Sequence, residues 1–158
     1  PLNHIFKLLK NMKSLFESDT YNAILERLAN LSPESTAQWG KMNVGQMLNH
    51  CQKPLEIAIY NKDFGLKSNF LIRSFFKKPM YDDSTFRKNM PTPKRFKVFE
   101  FKAFSTEKER LKSLIESFYS LKNKKDWTPH PVFGNFTPEQ WGKMQYKHLD
   151  HHFRQFGV

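Results

Sequence analysis

Three of the chain's six histidines, His148, His151 and His152, fall within five residues near the C-terminus. On an α-helix, which advances roughly 100° and 1.5 Å per residue, His148 and His152 lie about 40° apart and one turn along, so their imidazoles can converge on one point. That is the spacing of two metal ligands on one helix face. The same wheel gathers Trp141, Met144, Gln145, Gln155 and Phe156 around the pair and sends Lys143, Lys147, Asp150 and Arg154 to the far side. The pair therefore sits in the stripe expected to face the core. An unpaired polar group there costs about 1–3 kcal/mol. Each imidazole needs a hydrogen-bond partner, a water or a metal, and for a pair at this spacing a shared metal is the favoured answer.

The neighbouring polar groups divide around that pair. His151 lies about 60° from His148 on the flank of the stripe, where an i, i+3 pair can also share a metal. His152 is preferred as the ligand, with His151 beside it. Gln155, one turn beyond His151, can orient a ligand, contact a substrate or simply pack at the helix end. His130 stands in the loop before this helix, where it borders the site or, the favoured reading, stabilises its own turn. His4 has no evident role. Cys51 follows His50 but points about 100° away into an apolar arc, as a buried, inert thiol would.

The elements that must position these groups read as helices. Ile5, Leu8, Leu9, Met12 and Leu15 or Phe16 keep helical spacing, which predicts a helix or an N-terminal extension over residues 1–17. Ser18-Asp19-Thr20 offers cap candidates for a first core helix carrying Tyr21, Ile24, Leu25, Leu28 and Leu31. Between Ser32 and Gly40 there is room only for a short helical piece, with Trp39 anchoring the connection. Asn43-Val44-Gly45-Gln46 reads as a capping box opening a second core helix, with Val44, Met47, Leu48, Cys51, Leu55 and Ala58 on one arc and His50 at its edge. Pro54 is expected to kink it one turn after His50.

From Asn61 to Ser105 the pattern degrades into a basic, aromatic excursion punctuated by Pro79, Pro91 and Pro93. Asn69 to Lys77 can form a short helix, and Val98 to Phe104 alternates enough to predict a short strand anchored by Phe99, Phe101 and Phe104. A connection this long in one domain is commonly a lid over a site or poorly ordered. Thr106-Glu107-Lys108-Glu109 reads as a capping box for a third core helix with Leu111, Leu114, Ile115, Phe118 and Leu121. Thr137-Pro138-Glu139-Gln140 then supplies cap, first-turn proline and capping glutamine for the histidine-bearing helix.

At 158 residues and 18.8 kDa the chain has the size of one domain, 1–158, able to bury roughly 68–70% of its unfolded surface. A single cysteine excludes an intrachain disulfide and any two-cysteine zinc site, and points to a reducing compartment. Lysines break the first apolar stretch before it reaches signal-peptide length, and no apolar run nears the ~18 residues of a membrane span. The expectation is a cytoplasmic protein without a membrane partner. The net charge of +11 reads as spread over the polar faces of helices, a solvated basic surface that can also attract an anionic small molecule. No internal repeat, glycine-rich phosphate loop or serine nucleophile elbow is present.

Four amphipathic helices with one long connection predict a helix bundle, whose core commonly builds metal sites from facing helices, and His50 is the natural third ligand. Two groups of residues carry a family resemblance. One is Gln38-Trp39-Gly40-Lys41-Met42 leading to Gln46-Met47-Leu48-Asn49-His50-Cys51; the other is His130-Pro131-Val132-Phe133-Gly134 leading to Trp141 and to Lys147 through Gly157. In these the chain resembles the DinB-like superfamily of helical-bundle metalloproteins, in a branch known only as a domain of unknown function. The resemblance implies an all-α, up-down-down-up four-helix bundle, here with an N-terminal helical extension and an irregular excursion between helices two and three. It also implies a metal triad of His50, His148 and His152. Family members range from transferases and isomerases using bacterial low-molecular-weight thiols to many without assigned activity.

Three neutral histidines suit a divalent ion, zinc, nickel or iron, with a further position for water or a substrate thiolate, as in catalytic rather than structural zinc sites. The first expectation is therefore a metal-dependent transferase or hydrolase acting on a small or thiol-containing substrate. Two alternatives stay open. One is a nucleic-acid-binding module using the basic aromatic excursion, Lys62 to Lys97. The other is a structural bundle with a vestigial site and a homodimer interface.

Overall fold

Two capping boxes start the helices that carry the histidines. Asn43 Oδ1 accepts from the Gln46 N–H at 2.9 Å while Gln46 Oε1 accepts from the Asn43 N–H at 3.0 Å. Thr137 and Gln140 repeat the exchange at 3.2 and 3.0 Å. Each box satisfies two backbone donors that the first turn would otherwise leave open. The computed structural model describes residues 12–158. Within them lie five α-helices: α1 Ser18–Ala29, α2 Val44–Tyr60, α3 Phe70–Phe76, α4 Phe104–Ser120 and α5 Pro138–Gln155. Short 3₁₀ turns occupy Lys78–Met80 and Lys94–Phe96.

α2 packs along α4 and against α5, while α1 packs on α4 and α5. Between them lies one core in which Leu15, Ile24, Met47, Leu48, Leu55 and Leu111 are fully buried, together with Ile115, Phe118, Leu149 and Phe153. Burial of each such side chain contributes about 1.5–3 kcal/mol. Polar ties set the register of the helices. Lys108 donates to the Ala29 and Leu31 carbonyls at 2.9 and 2.8 Å, closing the C-terminal end of α1 against α4. Buried Gln145 on α5 donates from Nε2 to the Pro54 carbonyl of α2 at 3.0 Å. α2 itself continues through Pro54 to Tyr60. At Gly142 a Cβ would collide with Ser14 and Phe16, which lets the segment before α1 lie directly on α5.

The cluster Ile5 to Leu9 lies outside the described residues; Ser14 and Leu15 are buried in a turn, as in the extension rather than the helix of the two readings. Other expectations fail for physical reasons. α1 is preceded by Glu17 with no side-chain cap, and Thr20 instead donates to the Glu17 carboxylate at 3.0 Å. α4 begins at Phe104, before the expected Thr106 box, with Ala103 at the cap position. No strand forms among the described residues; Phe99 and Phe101 stand 81 and 84% exposed, because no second strand lies beside Val98–Phe101 to complete a ladder. No helix of the described residues is long and apolar enough to cross a membrane.

Candidate metal centre

His50 arrives from the middle of α2 and His148 and His152 from successive turns of α5. Their ligand atoms all lie within 4.8 Å of one another, and His50 Nε2 and His148 Nε2 are 3.1 Å apart. The three ring centroids are 4.7 to 5.0 Å apart. His50 and His152 are buried; His148 is partly exposed, yet its Nδ1 is shielded from water and has no partner.

Outer contacts decide which nitrogens face inward. The His50 Nδ1 lies 2.9 Å from the Phe96 carbonyl oxygen, an acceptor only, so Nδ1 carries the proton and Nε2 a lone pair. The His152 Nδ1 meets Gln155 Oε1 at 2.8 Å, and Gln155 Nε2 donates onward to the Trp39 carbonyl at 2.6 Å. That second bond fixes the amide's orientation, so His152 also keeps its lone pair on Nε2. Burial pushes His50 down to about 4 and, with His50 beside it, His152 down to about 3. Burial and the neighbours His152 and His50 hold His148 well below the usual histidine range. All three are neutral at pH 7, the form that binds metals.

These donors fit a divalent ion. The His50 Nε2 lone pair faces His148 Nε2, and His148 Nδ1 is unpartnered in either tautomer; with the His148 proton on Nδ1, two lone pairs are also opposed. A cation shared by the nitrogens removes the opposition. Zinc–nitrogen bonds of about 2.0–2.1 Å at a tetrahedral angle put nitrogens about 3.3 Å apart, near the 3.1 Å separation found here.

The remaining candidates fall outside this cluster. His151 is buried between Trp39 and Phe86, each ring centroid 5.8 Å away, with its ring 5.0 Å from that of His152. Its Nδ1 has no partner. His130 accepts at Nδ1 from the Val132 and Phe133 N–H groups at 3.0 and 3.3 Å and packs on Trp141. It thus closes its own turn, and none of these partners is a triad histidine. Cys51 is fully buried against Met47, its thiol pushed up by burial. Asp150 pairs with Arg27 and Arg154 at 2.8 and 2.9 Å, away from the triad.

Two groups of positioning residues escaped the sequence. Lys147, assigned to the solvated face, is 2% exposed: its ammonium meets the Asp82 carboxylate at 2.7 Å and the Pro79 carbonyl at 2.6 Å and lies over Phe86. It therefore ties residues 79–86 of the excursion to α5, and Phe86 in turn covers His151. Phe96, through its carbonyl, and Trp39, through its carbonyl and ring, complete the surround. Backbone acceptors carry no residue-type signal. The Asp82–Lys147 pair spans 65 residues, beyond any local pattern.

Among the described residues the chain is all-helical, and three buried or half-buried histidines stand close enough together to hold a metal ion. The chain belongs to the family described as protein of unknown function (DUF1569), which matches residues 10–157. No curated protein and no solved structure matches it.

Proposed function

We propose that this is a metal-binding protein of the DinB-like type, its four long helices forming the up-down-down-up bundle of that superfamily, with His50, His148 and His152 holding one divalent ion. The observation that carries the reading is the pair of outer hydrogen bonds, Phe96 O to His50 Nδ1 and Gln155 Oε1 to His152 Nδ1, which aim two neutral Nε2 donors at a third histidine. Isolated core histidines need one partner each; here His50 and His152 already have one and still present their second nitrogens to the cluster. Zinc, nickel and iron all accept imidazole.

The bound ion supplies Lewis acidity toward a small substrate, and a thiol or a hydrolysable bond is the class it suits best. This chain's own residues do the rest. α2 and α5 hold the ligands, Gln155 and the Phe96 carbonyl fix their tautomers, and Trp39 and Phe86 narrow access beside His151. His148, the partly exposed member, marks the side from which a substrate approaches. One buried cysteine suits a reducing, cytoplasmic setting.

Melting curves with zinc and with chelator test the binding. An ion that binds only the folded protein adds about 2.7 kcal/mol at a hundred times its dissociation constant. The His148→Ala variant should lose most of that response while still folding; an unchanged midpoint in the parent protein would refute the site. A screen of the loaded protein against thiol conjugates and small esters and amides then tests the chemistry, and loss of any activity in His148→Ala ties it to the triad.

A further inference from the structure

The large apolar side chains most exposed among the described residues all fall between Tyr60 and Phe101. Four of them sit on α3, where Phe70, Leu71, Phe75 and Phe76 are 80, 61, 68 and 55% exposed and no residue is buried. At roughly 100° per residue, Leu71, Phe75, Ile72 and Phe76 share one arc of about 140°. Contacts at the ends, not that arc, hold α3 in place. The Ser68 hydroxyl donates to the Val132 carbonyl, Asn69 caps the Ile72 N–H at 2.8 Å, and Lys77 donates to the Asn135 carbonyl. A contiguous exposed apolar surface rimmed by polar groups marks a surface that is covered in use.

Charge indicates what covers it. Residues 61–103 carry eleven Lys and Arg against four Asp and Glu, so +7 of the chain's +11 resides in this one excursion rather than evenly over the helices. Lys67, Arg73, Lys77 and Lys78 lie in α3 or within three residues of it. We propose that α3 is a docking face for an anionic bilayer surface. Its apolar arc enters the boundary between headgroups and acyl chains, and the surrounding lysines and arginines face acidic headgroups. Nucleic acid fits less well, because Leu71 and Ile72 offer no ring on which a base can stack. A second copy of the chain would bring two strongly positive excursions together. Docking of this kind needs no membrane-spanning helix, and it replaces the expectation that no membrane is involved.

The test is co-sedimentation of the full chain with vesicles of phosphatidylglycerol and phosphatidylcholine, and with vesicles of phosphatidylcholine alone. Binding is expected to the anionic vesicles only and to weaken with salt. A Phe75→Ser, Phe76→Ser double variant, altered only at exposed positions, should melt as the parent does and bind at least about tenfold more weakly. Trp emission from a Phe75→Trp variant should shift to the blue on adding anionic vesicles. The proposal is overturned if the parent stays in the supernatant or if the double variant sediments equally well. It is also overturned if the same substitutions instead abolish binding to a single-stranded oligonucleotide, or dissolve a dimer, without changing sedimentation with vesicles.

Discussion

Gln155 does its work through one amide: Oε1 accepts from His152 while Nε2 holds the Trp39 carbonyl. A hydrophobic replacement removes the acceptor that fixes the His152 tautomer, and loss of such an outer partner typically lowers metal affinity about 10- to 100-fold. Gln155→Leu should therefore weaken zinc binding by that factor in a competition titration with a chromogenic chelator, whereas Gln155→Glu, which keeps the acceptor for His152 but sets a carboxylate oxygen against the Trp39 carbonyl, should fall between it and the parent. Equal affinities for all three would show that the contact is packing alone. The histidines also set a pH dependence. Burial holds His130 and His50 at about 4 and His152 at about 3, against about 6.5 unfolded. Between those values the unfolded chain binds more protons, so the stabilisation is complete above pH 6.5 and is lost as pH falls toward 4. The loss is on the order of 1 kcal/mol per pH unit for each such histidine. Urea midpoints measured in chelator should hold from pH 7.5 to about 6.5 and fall from there to pH 5; a flat series would contradict the buried, neutral imidazoles.

The elements were legible where their signals are local. The boxes Asn43–Gln46 and Thr137–Gln140 lie within four residues, and both form as read. The apolar stripe on α5 likewise puts Trp141, Met144, Gln145 and Phe156 inside. Long-range contacts override such local cues elsewhere. Lys147 looked solvated by its wheel position, but the excursion folds back and supplies Asp82, Ser84 and Phe86. Gly45 similarly brings α2 against the Lys102 backbone, where a Cβ would collide with the carbonyl oxygen, and no pattern along α2 announces that neighbour. Lys147→Met should cost about 2–3 kcal/mol, less than a fully buried pair because Asp82 keeps some access to water. It should also raise protease cleavage within residues 79–86. Unchanged stability and cleavage would mean the ion pair does not hold the excursion down. Gln145→Leu leaves the α2–α5 tie unmade and should lower stability by about 1–2 kcal/mol in urea titration; no change would show that apolar packing alone fixes the register.

At the scale of the molecule, two faces are separated by composition. The helical core holds the histidine triad among apolar side chains, while most of the net positive charge and the most exposed phenylalanines belong to the excursion between α2 and α4. The two meet at Phe86 and Phe96, whose ring and carbonyl touch His151 and His50. X-ray absorption at the zinc edge, on protein loaded with one equivalent, tests the central claim most directly. The account predicts three imidazole nitrogens at about 2.0–2.1 Å, falling to two in His148→Ala. A first shell of oxygens with one imidazole or none, or a spectrum unchanged by that substitution, would contradict it.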